Sequence, residues 1–326
     1  MDNLKIIAEG RGECFKVDPD GYREWVRERK SRALVPKLMS EKEAVSKFVA
    51  DGDYLWFECN YLTRGPAALV RELIRQQKKD LWVGAKFSWV IATMLVAGGC
   101  ATKLDVGYFL FGPTVGKYMR EGKLKCFEYS NVVMTNRIMA GAMGIPFLPI
   151  RSLGGTDGFT YSAAKIIEDP YTGRPTVIVP AINPDVALIH VHQADVYGNA
   201  RIFGTGISHV EAAMASRKVV LSAEQIIETE EIRRDPGRTA IPYYAVDAVV
   251  HQPFGAYPGE VQGLYSSDVA HVVEVVGAAM RGALEQYLEK WVFSMGSHEE
   301  MMDKMVGYAK IADMIRRATI KEGYSA

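Results

Sequence analysis

Cysteine is scarce in this chain and enters no motif. The four present, Cys14, Cys59, Cys100 and Cys126, form no Cys-x-x-Cys pair, which argues against a zinc ribbon or a dithiol redox centre and suits a reducing cytoplasm. Net charge is also missing. Lysine plus arginine number 39 and aspartate plus glutamate 39, so no global field draws the chain to nucleic acid or to an acidic membrane. The longest nearly apolar stretch, Trp89 to Ala101, is too short to span a bilayer, and the N-terminus lacks the basic-then-apolar order of a signal peptide. Neither G-x-x-x-x-G-K-[ST] nor G-x-G-x-x-G occurs, so nucleotide binding is unsupported, and no G-x-S-x-G elbow suggests a serine esterase. His190 and His192 would share one face of a strand, but no third metal ligand stands near them, and core packing or a hydrogen-bonded strand end is the expectation. His209, His251, His271 and His298 form no recognisable set.

What remains is a globular pattern. With 326 residues and 48% hydrophobic side chains, the chain can bury a substantial core. Residues 1–39 are polar and weakly patterned and read as an arm. Ser40 and Glu43 then form a capping box ahead of Ala44, Val45, Phe48 and Val49 at helical spacing, and Asp51-Gly52 ends that helix. Strand, loop and helix alternate from there. Strands are predicted at Tyr54–Phe57, Leu81–Val83, Leu104–Leu110, Leu124–Glu128, Phe147–Ile150, Thr176–Val179, Val186–Val191, Lys218–Ser222 and Ala245–His251. Helices are predicted after Pro66 and at Asn131–Met143, the latter capped by Ser130 and ended by Gly144. Residues 268–318 keep helical spacing. The fold class implied is α/β, a mostly parallel sheet covered by helices, with residues 40–295 as the main domain and 296–326 as a helical tail. Ligands of such sheets gather beyond the carboxyl ends of the strands.

Two places at strand ends carry candidate chemistry. The segment 144–157 runs a buried strand into paired glycines beside hydroxyls, which suits either close backbone approach to a ligand or a plain strand-end turn. Glu128 ends another strand and either faces a cleft or pairs on the surface with Lys123 or Lys125.

The order of these segments resembles the family I CoA-transferases, alpha-type subunit, in the glutaconate branch, over most of residues 40–295. Gly52-Asp53, the apolar strand after it and Arg64-x-Pro66 match the family's first motif, while Glu58-Cys59-Asn60 replaces its usual Gly-Gly-Phe. Glu128-Tyr129-Ser130, a helix and Gly144-Ile-Pro-Phe-Leu-Pro149 follow in the family's order. Glu230-Glu-Ile-Arg-Arg-Asp-Pro236, Ile241-Pro242, Val246-Asp-Ala-Val-Val250 and Pro253-Phe-Gly-Ala-Tyr-Pro258 continue it, with Asp185-Val-Ala-Leu-Ile-His190 and Asp195-x-x-Gly198-Asn199. The resemblance implies an enzyme that moves coenzyme A between carboxylic acids, with a CoA thioester as substrate and no bound cofactor. It also implies a beta-type partner subunit whose Glu-Asn-Gly motif carries the nucleophilic glutamate, since no Glu-Asn-Gly occurs here. This chain would then complete the cleft with Glu58, Asn60, Arg64, Lys86, Phe87, Ser88, Glu128, Ser152, Gly154, Gly155 and Thr156. Arg64 either binds a substrate carboxylate in a bidentate way or caps the strand-loop turn.

Two other readings stand beside it. Relatives of this fold hydrolyse a carbon ring in a steroid-derived CoA thioester, with a glutamate at the position of Glu128 as general base. A non-catalytic sensor or scaffold is the third, since fold alone does not settle function.

Overall fold

The computed structural model describes residues 4–110, 112–206 and 208–318. The first three residues of the arm and the last eight of the tail lie outside the described residues. The chain begins with β1 (Ile6–Glu9), α1 (Pro19–Glu28), α2 (Glu41–Phe48), β2 (Tyr54–Phe57), α3 (Ala67–Arg75), β3 (Leu81–Trp89), α4 (Val90–Ala97) and β4 (Ala101–Phe109). It continues through α5 (Pro113–Arg120), β5 (Lys125–Glu128), α6 (Asn131–Met143), β6 (Phe147–Ile150), α7 (Asp157–Thr160), β7 (Lys165–Glu168), β8 (Pro175–Pro180) and β9 (Val186–Ala194). After β10 (Ala200–Arg201) come α8 (His209–Ala215), β11 (Lys218–Ile226), α9 (Thr229–Arg234), β12 (Ala248–His251), α10 (Val269–Met280), α11 (Leu284–Leu288), α12 (His298–Met301) and α13 (Tyr308–Ala318).

Seven parallel strands in the order β12-β11-β9-β2-β3-β4-β5 make the main sheet, with β10 added antiparallel to β9. All four residues of β2 are buried, as expected of a strand covered on both faces. One face packs Leu55, Val83, Ala85 and Val106 against α3, α4 and α10. The other packs Trp56, Trp82, Phe127 and Ile189 against α6 and α8. The predicted caps are present: Ser40 and Glu43 cap each other's backbone, Ser130 accepts from Val133 N, and Gly144 closes α6 at φ 67°. That left-handed turn is one an L side chain adopts at a cost.

The strands at Phe147 and Thr176 leave the main sheet. They join a separate four-stranded antiparallel sheet, β1-β7-β8-β6, packed against α6. The arm is built into the fold. It supplies β1, and Asp18 caps α1 by accepting from Gly21 N at 3.0 Å. Lys30 then makes a partly buried 2.9 Å ion pair with Asp247. Lys37 to Met39 lie along the outer edge of β12, with Met39 N donating to Val249 O and Val249 N to Lys37 O, both at 2.9 Å. An edge that would otherwise expose unpaired backbone is thereby covered. Among the described residues no helix is long and apolar enough to cross a membrane.

Candidate active site

Glu58 continues β2 by one residue, its N–H donating to Leu188 O at 3.1 Å. The β2–β3 register pairs Trp56 with Gly84, so two residues on, Glu58 faces Lys86 on the same side of the sheet. The two form an ion pair, each side chain no more than 3% exposed, and Trp56 Nε1 donates to Glu58 Oε2 at 3.4 Å. Burial pushes the Glu58 carboxyl up, while Lys86 and then Arg64 pull it back. A lone carboxylate at this depth would be far costlier than the pair.

Beyond Glu58 the chain makes a tight loop. Asn60 and Thr63 exchange backbone hydrogen bonds, leaving Tyr61 at φ 59°, and Thr63 Oγ1 donates to Glu260 Oε1 at 3.0 Å. Arg64 is 2% exposed and donates from Nη2 to Thr205 O at 2.9 Å and from Nη1 to His190 O at 3.5 Å. These bonds tie the loop after β2 to the middle of β9 and to the segment that follows β10. Gly65 packs closely here, since a Cβ there would come within 2.7 Å of Ile91 Cδ1 and 3.1 Å of Cys59 Sγ and the Ile91 side chain would have to shift. Asn60 bridges to Phe87, and Ser88, fully buried, donates to Tyr108 O at 2.9 Å.

His209 lies beside Arg64 across Gly206. Burial, then the charges of Arg64 and Lys86, push its imidazole down to about 4, and burial likewise brings His192 to about 4. Both folded values lie below the unfolded value of about 6.5, so the unfolded chain binds more protons in between. Stability from these two groups is complete above that value and is lost as pH falls toward 4. Glu58 and Glu41, raised chiefly by burial, act in the opposite sense, so the test compares variants. The urea midpoint of His209→Asn is expected to fall less between pH 6.5 and 4.5 than that of the parent chain. Parallel curves would mean that His209 takes up its proton within the folded state.

His190 belongs to a second buried network. Its Nδ1 is 2.8 Å from Ser222 Oγ and its Nε2 is 2.6 Å from Glu224 Oε1, while Glu224 also accepts from Tyr265 Oη and from the N–H groups of Phe254 and Gly255. The three residues are those of a Ser-His-Glu triad, but the ring nitrogens are exchanged relative to one, Nδ1 meeting the serine and Nε2 the glutamate, and Ser222 and His190 are 0% exposed. No substrate carbonyl can approach that hydroxyl. The network instead ties the loop at residues 252–265 to β9 and β11, with His190 hydrogen-bonded in the middle of its strand rather than at the strand end the sequence suggests. Ser222, Glu224 and Tyr265 were not singled out from the sequence, where they lie 32, 34 and 75 positions from His190.

Glu128 stands elsewhere. It ends β5, the edge strand, exposed, in register with Val106 of β4, which pairs in turn with Ala85 of β3. Pleat alternation therefore directs its side chain to the sheet face opposite Lys86 and Glu58. Ser152, Gly154, Gly155 and Thr156 lie in the loop between β6 and α7, and Thr156 caps α7 by accepting from Phe159 N. A Cβ at Gly158, just beyond, would stand 3.8 Å from Glu128 O, so this loop adjoins the end of β5. The structure thus divides the predicted residues into a buried group at the ends of β2 and β3 and a more open group at the end of β5, both at the carboxyl edge. Two exposed rings that the sequence pattern does not mark, Tyr61 and Tyr108, flank Phe87 between these groups. A cavity of about 540 Å³ lies apart from both, between the end of β12, α2 and α12.

A family profile described as Coenzyme A transferase matches residues 38–252. The chain belongs to the coenzyme A transferase family. The corresponding subunit of glutaconate CoA-transferase from Acidaminococcus fermentans is 32% identical over 82% of this chain and 92% of its own length. An uncharacterized protein of Archaeoglobus fulgidus is 40% identical over 97% of this chain and 73% of its own. The crystal structure of the Acidaminococcus glutaconate coenzyme A-transferase superposes with a TM-score of 0.79 at 30% identity, covering 85% of this chain and 95% of that one. The chain is an alpha-type CoA-transferase subunit, with the family's mostly parallel sheet.

Proposed function

We propose that this chain forms one wall of the active cleft of a heteromeric CoA-transferase and that a beta-type subunit brings the nucleophilic glutamate to it. The observation that carries the reading is the family match joined to the state of this chain's own carboxylates. Glu58 is sealed in an ion pair with Lys86 and no Glu-Asn-Gly occurs in the sequence, while Glu128, open at the sheet edge, is the carboxylate of this chain whose role is tested below.

The chemistry then balances without an added reactant. A glutamate oxygen of the partner attacks the thioester carbonyl, the C–S bond breaks, and CoA thiolate leaves a mixed anhydride. The thiolate attacks the glutamyl carbonyl and expels the first acid as its carboxylate. A second carboxylate reverses both steps and takes the CoA. Backbone N–H groups and polar side chains of this chain would stabilise the oxyanions, a contribution that electrostatic preorganisation makes large. Glu128, on the far side of the sheet from Lys86, would line the cleft mouth or orient the acyl group. The glutaconate relative is itself named as one subunit of its CoA-transferase, which supports the same partnership. A reducing cytoplasm remains the proposed setting.

Glu128→Gln in the assembled enzyme tests the role. As a lining residue it is expected to leave kcat within about tenfold, whereas a water-activating base is worth roughly 10²- to 10⁴-fold. A loss of the second size, with hydrolysis as the wild-type reaction, would replace transfer by the hydrolase reading.

A further inference from the structure

At the carboxyl edge of the sheet, three aromatic rings form a continuous strip on the face that Glu128 shares. Tyr61 and Phe87 stack, centroids 5.3 Å apart and planes at 29°, and Phe87 meets Tyr108 edge-on at 4.8 Å and 85°. The β3–β4 register pairs Phe87 with Tyr108, and Glu128 follows one strand further out. Tyr61 is 42% exposed and Tyr108 44%, so the strip is open to a ligand although each ring has found another to touch.

The backbone adds a second observation. Tyr61 stands at φ 59°, in a two-residue loop closed by Asn60 and Thr63. Glycine would adopt that conformation at less cost than a bulky aromatic residue. A tyrosine held there, its ring stacked on Phe87 and edge-on to Trp89 at 5.4 Å and yet 42% exposed, turns a free face outward that a ligand can use.

We propose that Tyr61, Phe87 and Tyr108 form the wall that receives the acyl part of the CoA thioester and that it selects planar conjugated or aryl acyl groups over saturated ones. The inference rests on the CoA-thioester reading above. Ring faces and edges carry complementary charge distributions, so a flat unsaturated acyl group gains contacts that a puckered saturated one of equal size does not. The adenine of CoA is a less fitting occupant, because the extended pantetheine arm separates it from the thioester and the strip adjoins the residues placed at the reacting end. Phe87 and Tyr108 are cross-strand neighbours on one face, which fixes that part of the strip.

Calorimetry on the assembled two-subunit enzyme tests this with benzoyl-CoA, cyclohexanecarbonyl-CoA and free CoA. The two thioesters carry the same number of carbons and differ in planarity. Benzoyl-CoA is expected to bind about 2- to 12-fold more tightly, the range that aromatic contacts of this kind supply. Tyr61→Gly and Tyr108→Leu should each shrink that ratio toward one while leaving free CoA unchanged. Tyr61→Gly should do so without lowering the unfolding midpoint, which a merely structural ring would not allow. Equal affinities for the two thioesters in the wild type, or equal losses for both in the variants, would overturn the proposal while free CoA binding upheld the transferase reading. Dissociation of the two chains in Tyr61→Gly or Tyr108→Leu would overturn it too, by assigning the strip to the partner's surface. Failure of the wild-type enzyme to bind any of the three compounds would remove both readings.

Discussion

Purified without its partner, the chain is expected to transfer CoA about 10⁶-fold more slowly than the assembled enzyme, the scale on which loss of a covalent nucleophile is felt. The reason lies in its own side chains. A nucleophilic carboxylate must reach a thioester carbonyl, and Glu58 is 2% exposed and held by Lys86. The triad-like set of Ser222, His190 and Glu224 is equally sealed. Coexpression with a similar-sized chain carrying Glu-Asn-Gly after a strand should restore turnover. The check is a steady-state assay of acyl-CoA with a carboxylic acid acceptor, run on either protein by itself and on both together. Full turnover by this chain without a partner would place the nucleophile on it.

The second large effect concerns stability. Lys86→Met leaves the Glu58 carboxylate without its closest cation in a buried site, and removing one member of a buried pair typically costs about 3–5 kcal/mol. Glu58 can offset part of this by taking up a proton, since burial already favours its neutral form. A loss near the lower end, about 3 kcal/mol, is therefore expected in urea unfolding. The double variant Glu58→Leu with Lys86→Met should recover most of it, because an apolar pair of similar volume carries no desolvation cost. If the loss in the double variant equals the sum of the losses in Lys86→Met and Glu58→Leu alone, the two residues are not energetically coupled.

Much of the architecture was legible because its signals are local. The capping box at Ser40 and Glu43, the Ser130 cap and Gly144 end of α6, and the apolar strand Tyr54–Phe57 each lie within a few residues and appear where expected. Register and sheet membership are not local. Phe147–Ile150 and Thr176–Val179 look like any buried strand in sequence, yet they pair with each other and leave the main sheet because β1 and β7 complete a separate one. β1 and β7 are four residues each, too short for a reliable alternation signal. The polar composition of the arm concealed its packing, which depends on Lys30 meeting Asp247, 217 positions away.

The candidate site follows the same division. The strand ends and the resemblance lead one to expect Glu58 and Lys86 at the cleft, but their burial as a pair needed the 28-residue register offset between β2 and β3. The separation of Glu128 from them by one sheet face could not be read at all, since a one-residue change of register would reverse it. Tyr61 and Tyr108 escape notice in the sequence for a related reason. Each is unremarkable in isolation, and only the alignment of β3 with β4 joins Tyr108 to Phe87.

The covalent carrier of CoA is expected on the partner and not on this chain. Incubating the assembled enzyme with acyl-CoA, reducing with borohydride and mapping peptides of both proteins by mass spectrometry tests it most directly. One reduced glutamate is expected, in the Glu-Asn-Gly segment of the partner, with every glutamate of this chain unmodified. Reduction at Glu58 or Glu128 of this chain would contradict it.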